Sequence, residues 1–358
     1  MKKLWKINTI NKVLSLHARL SRIDANKKPL SAAQDFKRIV IFSTTALGDL
    51  LFNTPAIRAI RNRYPAAKIM LVSSYKNRDL VQGSTWFDEV VIWDNKVKNI
   101  FSVIKAMRKF KAEITFILHS RIGYDILCSR LGGSRYIVRD NFSSDTTIFN
   151  RWIDLYSKEK NLHIIQRKLN LIAQLGCDIT NISMQFPNDY NTPILSNNNA
   201  TIAFQLGASE KLRCWPVEHY SNLAQTIISR HPSTHIVLTG AEQDLKLASA
   251  FYAALPEQYH PNVVSYIGKT RLPELIKLIY SVDALVTGDT GPLHIAITAR
   301  TRTVSLYVSA NPAHTGPYQD PQLHRTIRIE PEKNDDPIYP LRKIGVAKVY
   351  EALASILE

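Results

Sequence analysis

What most restricts this chain is an alternation. Short apolar runs recur along it, each followed by a stretch with helical spacing of apolar residues. In the first half the runs are 37–43, 68–74 (Lys-Ile-Met-Leu-Val-Ser-Ser), 88–93 and 113–119. In the second half they are 200–206, 234–240, 263–267, 283–287 and 302–308. Runs this short and continuous read as strands buried on both faces, and strands alternating with helices pair in parallel. Helices are expected over Leu50 to Arg63, with Pro55 an oddity inside it, over Asn99 to Phe110, and over 217–230, 242–254, 272–281 and 291–299. The polar, Pro-marked stretch 187–199 reads as a linker. The fold class is α/β. Two similar halves imply a cleft, with ligands at the carboxyl ends of the strands.

A chain of 358 residues is long enough for two such domains. No uninterrupted apolar run approaches the roughly 18–20 residues of a membrane span, and no signal-peptide core with a cleavage site follows the basic N-terminus. Cys128, Cys177 and Cys214 are scattered and fit neither a disulfide framework nor a zinc site, so a reducing cytoplasm is expected. The net charge is +16. Residues 1–38 hold ten Lys and Arg against Asp24 and Asp35, a net of +8 and half the total. Such an excess implies an anionic partner. No nucleic-acid-binding signature accompanies it. Within residues 3–20, Leu4, Ile7, Ile10, Leu14 and Ala18 fall at helical spacing, flanked by Trp5 and Val13. That stripe fits either a helix lying on a membrane surface or one docked on its own domain.

Two Gly-bracketed turns carry the chemistry. Thr287-Gly-Asp-Thr-Gly-Pro-Leu-His294 follows an apolar run and opens a helix, with Thr290 placed to cap it and Pro292 in its first turn. Gly288 and Gly291 permit close approach, and the helix N-terminus favours a phosphate. Near the chain start, Thr44-Thr-Ala-Leu-Gly-Asp49 follows the first run, so Asp49 reads either as a general base above the strand or as a helix cap.

Three motifs, in order, give the chain a resemblance. They are Gly48-Asp49-Leu-Leu-Phe-Asn-Thr54-Pro55-Ala56-Ile57, then Arg213-Cys-Trp215-Pro216, then Asp289-Thr290-Gly291-Pro292-Leu293-His294. Over roughly residues 37 to 350 the chain resembles the ADP-heptose:lipopolysaccharide heptosyltransferases, inverting glycosyltransferases of family 9. The resemblance implies the GT-B fold, two Rossmann-like parallel-sheet domains facing across a cleft. The expected divisions are a basic amphipathic extension, 1–36, an acceptor domain, 37–190, and a nucleotide-sugar domain, 191–342. A last helix, 343–358, is expected to cross back to the first domain. The implied reaction moves heptose from ADP-L-glycero-D-manno-heptose to the inner core of lipopolysaccharide.

In that reading Asp49 is the base. Donor binding falls to Ser209, Arg213 or nearby Lys211, Thr290 and Gly291. His294 either donates to phosphate or packs, and Asp289 holds either sugar hydroxyls or the turn. Asp244 or Glu242 takes the ribose. Arg213 stands where relatives carry Lys, and Ala208 lacks a hydroxyl that some relatives have. Trp215 and Pro216 are expected to fix a turn. Thr44 and Thr45 are candidates for either donor or acceptor, and Thr45, Arg61 and, above all, Arg121 are those for the acceptor, a phosphorylated lipid A–core. No D-x-D pair occurs, so no metal and no other cofactor is expected beside the nucleotide-sugar donor. The implied site of action is the cytoplasmic face of a Gram-negative inner membrane, as a peripheral protein. A family transferase using another nucleotide sugar, or a non-catalytic membrane-surface protein, are the alternatives. A nicotinamide oxidoreductase would need G-x-G-x-x-G where Ser43-Thr-Thr-Ala-Leu-Gly48 stands.

Overall fold

The computed structural model describes residues 2–21, 27–94, 96–119, 123–140, 144–159, 161–195, 199–332 and 336–358, without the side chains of 2–4 and 144–147. Contacts divide the chain into two compact units, Met1–Asn188 and Asp189–Glu358.

The first unit runs α1 Lys2–Ser21, β1 Arg38–Ser43, α2 Leu47–Arg63, β2 Lys68–Ser73, α3 Arg78–Val81, β3 Glu89–Ile92, α4 Ile100–Phe110, β4 Ile114–His119, α5 Tyr124–Leu131, β5 Tyr136–Arg139, β6 Leu155–Tyr156 and α6 Ile164–Ala173. Its sheet has the order β3-β2-β1-β4-β5-β6, and every neighbouring pair is parallel. Ile39 to Phe42 of β1 are wholly buried, which is why this strand reads as an unbroken apolar run.

The second unit runs β7 Thr201–Gln205, α7 Val217–Arg230, β8 His235–Thr239, α8 Leu245–Ala254, β9 Val263–Ser265, α9 Leu272–Tyr280, β10 Ala284–Gly288, α10 Gly291–Ala299, β11 Arg302–Tyr307, α11 Pro312–Thr315, β12 His324–Arg328 and α12 Val346–Leu357. Its sheet, β12-β11-β10-β7-β8-β9, is again parallel throughout. In both units the strand order reverses at the sheet centre, between β1 and β4 and between β7 and β10.

Two findings depart from the sequence reading. First, α2 starts at Leu47, so Asp49 is its third residue instead of the residue before it. Second, Ile7, Ile10 and Leu14 of α1 are buried in the core of the first unit, where α1 packs on α5. The stripe offered for a membrane is therefore a docking stripe. In the second unit, Val349, Leu353 and Ile356 of α12 join the cluster of Trp215, Phe204 and Leu341, and the helix lies on α7 and β11.

Pro55 inside α2 has a local remedy. Proline has no N–H for the Leu51 carbonyl. The hydroxyl of Thr54, fully buried, donates to that carbonyl at 2.7 Å. The same hydroxyl accepts from the Gln185 N–H at 3.1 Å. Thr54→Val keeps the shape and removes both bonds, so it is expected to lower unfolding free energy by about 1–3 kcal/mol in urea titrations. In a Pro55→Ala background, where the helix can supply the missing N–H, the loss should be smaller. An equal loss in both backgrounds would show that the carbonyl does not depend on Thr54.

Candidate active site

At the carboxyl end of the first sheet, β1 feeds the turn Thr44–Ala46 and then α2. The turn is tied down from below. Asn53 Nδ2 donates to Ser43 Oγ at 2.8 Å and Ser73 Oγ to the Ser43 carbonyl at 2.8 Å. The Thr45 carbonyl accepts from Ser74 Oγ at 2.8 Å and Asn77 Nδ2 at 3.3 Å. On this base Asp49 uses one oxygen as a cap, Oδ2 accepting from the Ala46 N–H at 3.1 Å. Its other oxygen, Oδ1, faces His119 Nε2 at 3.6 Å. His119 ends β4, beside β1, where the ladder slips register between Phe42 and Ser43. The Asp49 side chain keeps 21% exposure, so solvent or a ligand reaches it.

Beneath this pair lies a buried ionic cluster. Asp140, just past β5, accepts both arms of Arg167 at 2.7 and 2.8 Å and the Ser157 hydroxyl at 2.7 Å. Lys168, the next residue of α6, is wholly buried with its Nζ 3.9 Å from Asp140 Oδ2. Burial opposes the Asp140 charge, but Arg167, Lys168 and Ser157 outweigh it and hold the carboxyl below its ordinary range. Asp49 behaves likewise: burial opposes its charge, while the His119 ring, Lys168 and the Ala46 N–H bring its pKa down. Burial pushes His119 down to about 4, with Asp49 opposing it and Lys168 and Arg167 adding to it. Burial likewise takes Lys168 down to about 8.

In the second unit, β10 passes through Gly288 and Asp289 into α10. A side chain at Gly288 would meet the Arg213 carbonyl at 2.1 Å, so the turn requires glycine to let the Arg213 backbone in. Arg213 Nη1 lies 3.4 Å from Asp289 Oδ2, and His294 Nε2 lies 3.9 Å from Asp289 Oδ1. Asp289 thus stands between two nitrogen groups, with the Arg213 side chain 30% exposed. Thr290 is the N-cap residue of α10 by position, but its hydroxyl bonds the Thr287 hydroxyl at 2.9 Å and caps nothing. The first amides of α10 from Gly291 on have no side-chain cap. Trp215 is buried, its indole donating to the Ile344 carbonyl at 2.9 Å, and Pro216 is the N-cap of α7.

The structure sorts the remaining candidates. Asp244 is buried, caps the Ala241 N–H at 2.9 Å, and lies against Gly207, where any β-carbon would come within 2.3 Å of its carboxylate. Glu242, Ser209 and Lys211 are exposed in the turns after β8 and β7. Arg61 is placed away from the chemistry. It donates to the carbonyls of Ala67 and Trp86 at 2.6 and 2.8 Å and pairs with Asp88 at 3.0 Å, all just before β2 and β3, at the opposite edge of the sheet. Its role is to hold strand starts, and it is withdrawn as an acceptor ligand. Arg121 lies outside the described residues. His119, Lys168 and Tyr307 were not anticipated. Tyr307, buried at the end of β11, has its pKa raised by burial and then by Asp289. Only His119 carried a signal, as the last residue of an expected strand. No group of three or more His, Cys, Asp or Glu suited to a metal occurs among the described residues, and none of the described helices is long and apolar enough to cross a membrane.

Comparison with known proteins adds a second line. A family model described as glycosyltransferase family 9 (heptosyltransferase) matches residues 102–336, a segment that excludes residue 49. Over 287 residues the chain is 22% identical to lipooligosaccharide heptosyltransferase 2 of Campylobacter jejuni, covering 79% of this chain and 84% of that one. The family 9 glycosyl transferase of Veillonella parvula superposes with a TM-score of 0.75 at 21% identity, over 93% of this chain and 99% of that one. ADP-heptose LPS heptosyltransferase II of E. coli does so with a TM-score of 0.73 at 20% identity, over 89% and 98%. Both solved structures share the fold.

The Lys168 ammonium gives a test of the cluster. Its folded pKa, about 8, lies below the ordinary lysine value of 10.5. Between those values the unfolded chain holds a proton that the folded chain has lost, so stability rises with pH across that window. Below it the buried charge costs on the order of 3 kcal/mol. Lys168→Met is therefore expected to lack the rise in urea midpoint above pH 8 that the wild type shows. An equal rise in the variant would show that Lys168 does not titrate in that window.

Proposed function

Since this chain belongs to glycosyltransferase family 9, the heptosyltransferases, we propose that it transfers heptose from ADP-heptose to an inner-core sugar of lipopolysaccharide, with inversion. The observation that carries the mechanism is the division of labour at Asp49. One oxygen is committed to the helix cap, while the other faces the His119 ring at 3.6 Å on a carboxylate that is partly exposed and whose pKa is lowered. The acceptor hydroxyl gives its proton to Asp49 Oδ1 as its oxygen attacks the anomeric carbon. The bond from that carbon to the diphosphate breaks on the opposite side, and the electron pair leaves with ADP. Negative charge then grows on the terminal phosphate, where Arg213 and the first amides of α10 stabilise it. Asp289 steers Arg213, and His294 donates beside it. No metal is needed in this reading. Glu242, exposed, is the carboxylate open to the ribose, because Asp244 is occupied as a cap. A lipid-linked acceptor places the enzyme at the cytoplasmic face of an inner membrane.

The direct test is a donor screen with ADP-, UDP- and GDP-sugars against deacylated core acceptors, where only an ADP-heptose should turn over well. Asp49→Asn retains an oxygen for the Ala46 N–H but cannot take a proton. It should keep the folding stability and ADP affinity of the wild type while turnover falls about 10²–10⁴-fold. Turnover within a few-fold of the wild type would leave Asp49 as a cap alone. On the donor side, Arg213→Ala should weaken ADP binding by about 10–100-fold in calorimetry, the worth of a charge-assisted pair, and Arg213→Lys should restore most of it. Unchanged ADP binding in Arg213→Ala would move the role to Lys211 or His294.

A further inference from the structure

With the expected stripe of α1 used for docking, the opposite side of the helix stands out. The rotation of α1 is fixed by Ile7, Ile10 and Leu14 in the core and by Trp152 Nε1 donating to Asn11 Oδ1 at 2.8 Å. Four large apolar side chains remain outside: Trp5 at 59% exposure, Val13 at 40%, Leu16 at 59% and Leu20 at 74%. At helical pitch they fall within an arc of ~80°, which also holds Thr9 and Lys2 and is centred ~130° round from the docking stripe. Lys6 flanks that arc on one side and Lys12 and Arg19 on the other. The twenty residues of α1 contain five Lys and Arg and not one Asp or Glu.

We propose that this outward face of α1, with Trp5, Val13, Leu16 and Leu20 at its centre and Lys6, Lys12 and Arg19 at its margins, lies on an anionic lipid bilayer. A helix in the plane of the interface sinks apolar side chains among the acyl chains and keeps its cations at the headgroups. Charge complementarity selects this occupant. A second copy of the chain would bring the same cations against these. A nucleic acid would reward the cations but not four exposed apolar groups. The inference deepens the proposed function, resting on its lipid-linked acceptor for a reason to be at a membrane. It sets the unit that carries Asp49 down on the lipid.

The test uses the full chain with vesicles of phosphatidylcholine alone or mixed with phosphatidylglycerol. The wild type should float with the mixed vesicles, less so as salt rises. Leu16→Ser/Leu20→Ser should weaken that binding by about tenfold or more, and Lys12→Glu/Arg19→Glu should abolish the preference for phosphatidylglycerol. Trp5→Phe should remove the vesicle-induced blue shift of tryptophan fluorescence. All of these side chains are exposed, so thermal midpoints should hold. Turnover on a deacylated acceptor should be unchanged in every variant, while turnover on the lipid-bearing acceptor in vesicles should fall. Equal vesicle binding by wild type and Leu16→Ser/Leu20→Ser overturns the assignment, as does a wild-type dimer dissociated by the same substitutions. Absence of turnover on any deacylated acceptor, with vesicle binding intact, would sink the proposed function and leave the lipid face standing.

Discussion

Parallel pairing is the constraint on which the rest depends. Every strand pair in both sheets is parallel, so every crossover returns the chain to the same edge and all strand-to-helix turns gather at the other. Where the strand order reverses, neighbouring crossovers leave in opposite directions and the turns part. The first sheet has β1 and β4 at that point; β1 leads into the turn before Asp49, and β4 ends in His119. The second has β7 and β10, which lead to the Gly207 turn and to Asp289. One topological rule, applied twice, puts a carboxylate and its nitrogen partner at the centre of each carboxyl edge.

Close approach then sharpens each place. Gly288 admits the Arg213 carbonyl, and Gly207 admits the Asp244 carboxylate. In the first unit the refinement is electrostatic. The buried His119 ring lies 3.6 Å from Asp49, and the charge of the buried Lys168 also favours the Asp49 carboxylate. A buried ammonium that is itself poorly accommodated thus sits near a carboxylate whose charge it favours.

Much of this was legible in the sequence because the apolar runs are long enough to declare themselves. The α7 range and the start of α10 agree with the spacing of their apolar residues. What escaped has physical reasons. β5 has four residues and β6 two, β6 and β12 lie at sheet edges, and His-Arg-Thr-Ile-Arg has no apolar run to read. The start of α2 was placed late because Ala46 gives no cap signal; the cap comes from Asp49, inside the helix. Lys168 follows Gln166 and Arg167, a triplet that looks solvated, and its burial comes from the way α6 closes over Asp140, far away in sequence. Arg61 looked like a free surface cation, because nothing local says that its guanidinium will meet two carbonyls before β2 and β3. The outward face of α1 hid behind a stronger stripe on the same helix.

The bond between Asn11 and Trp152 sets a timetable for synthesis. The partners are 141 residues apart, so α1 leaves the ribosome long before its dock exists. At about 5–20 residues per second the wait is roughly 7–28 s. During it both apolar faces of α1 are bare, on a segment that is wholly cationic in its charge. A nascent chain in that condition already meets the requirements for adsorbing to an acidic surface. The fold later reclaims one face and leaves the other exposed, so one of the two is available at every stage from synthesis onward.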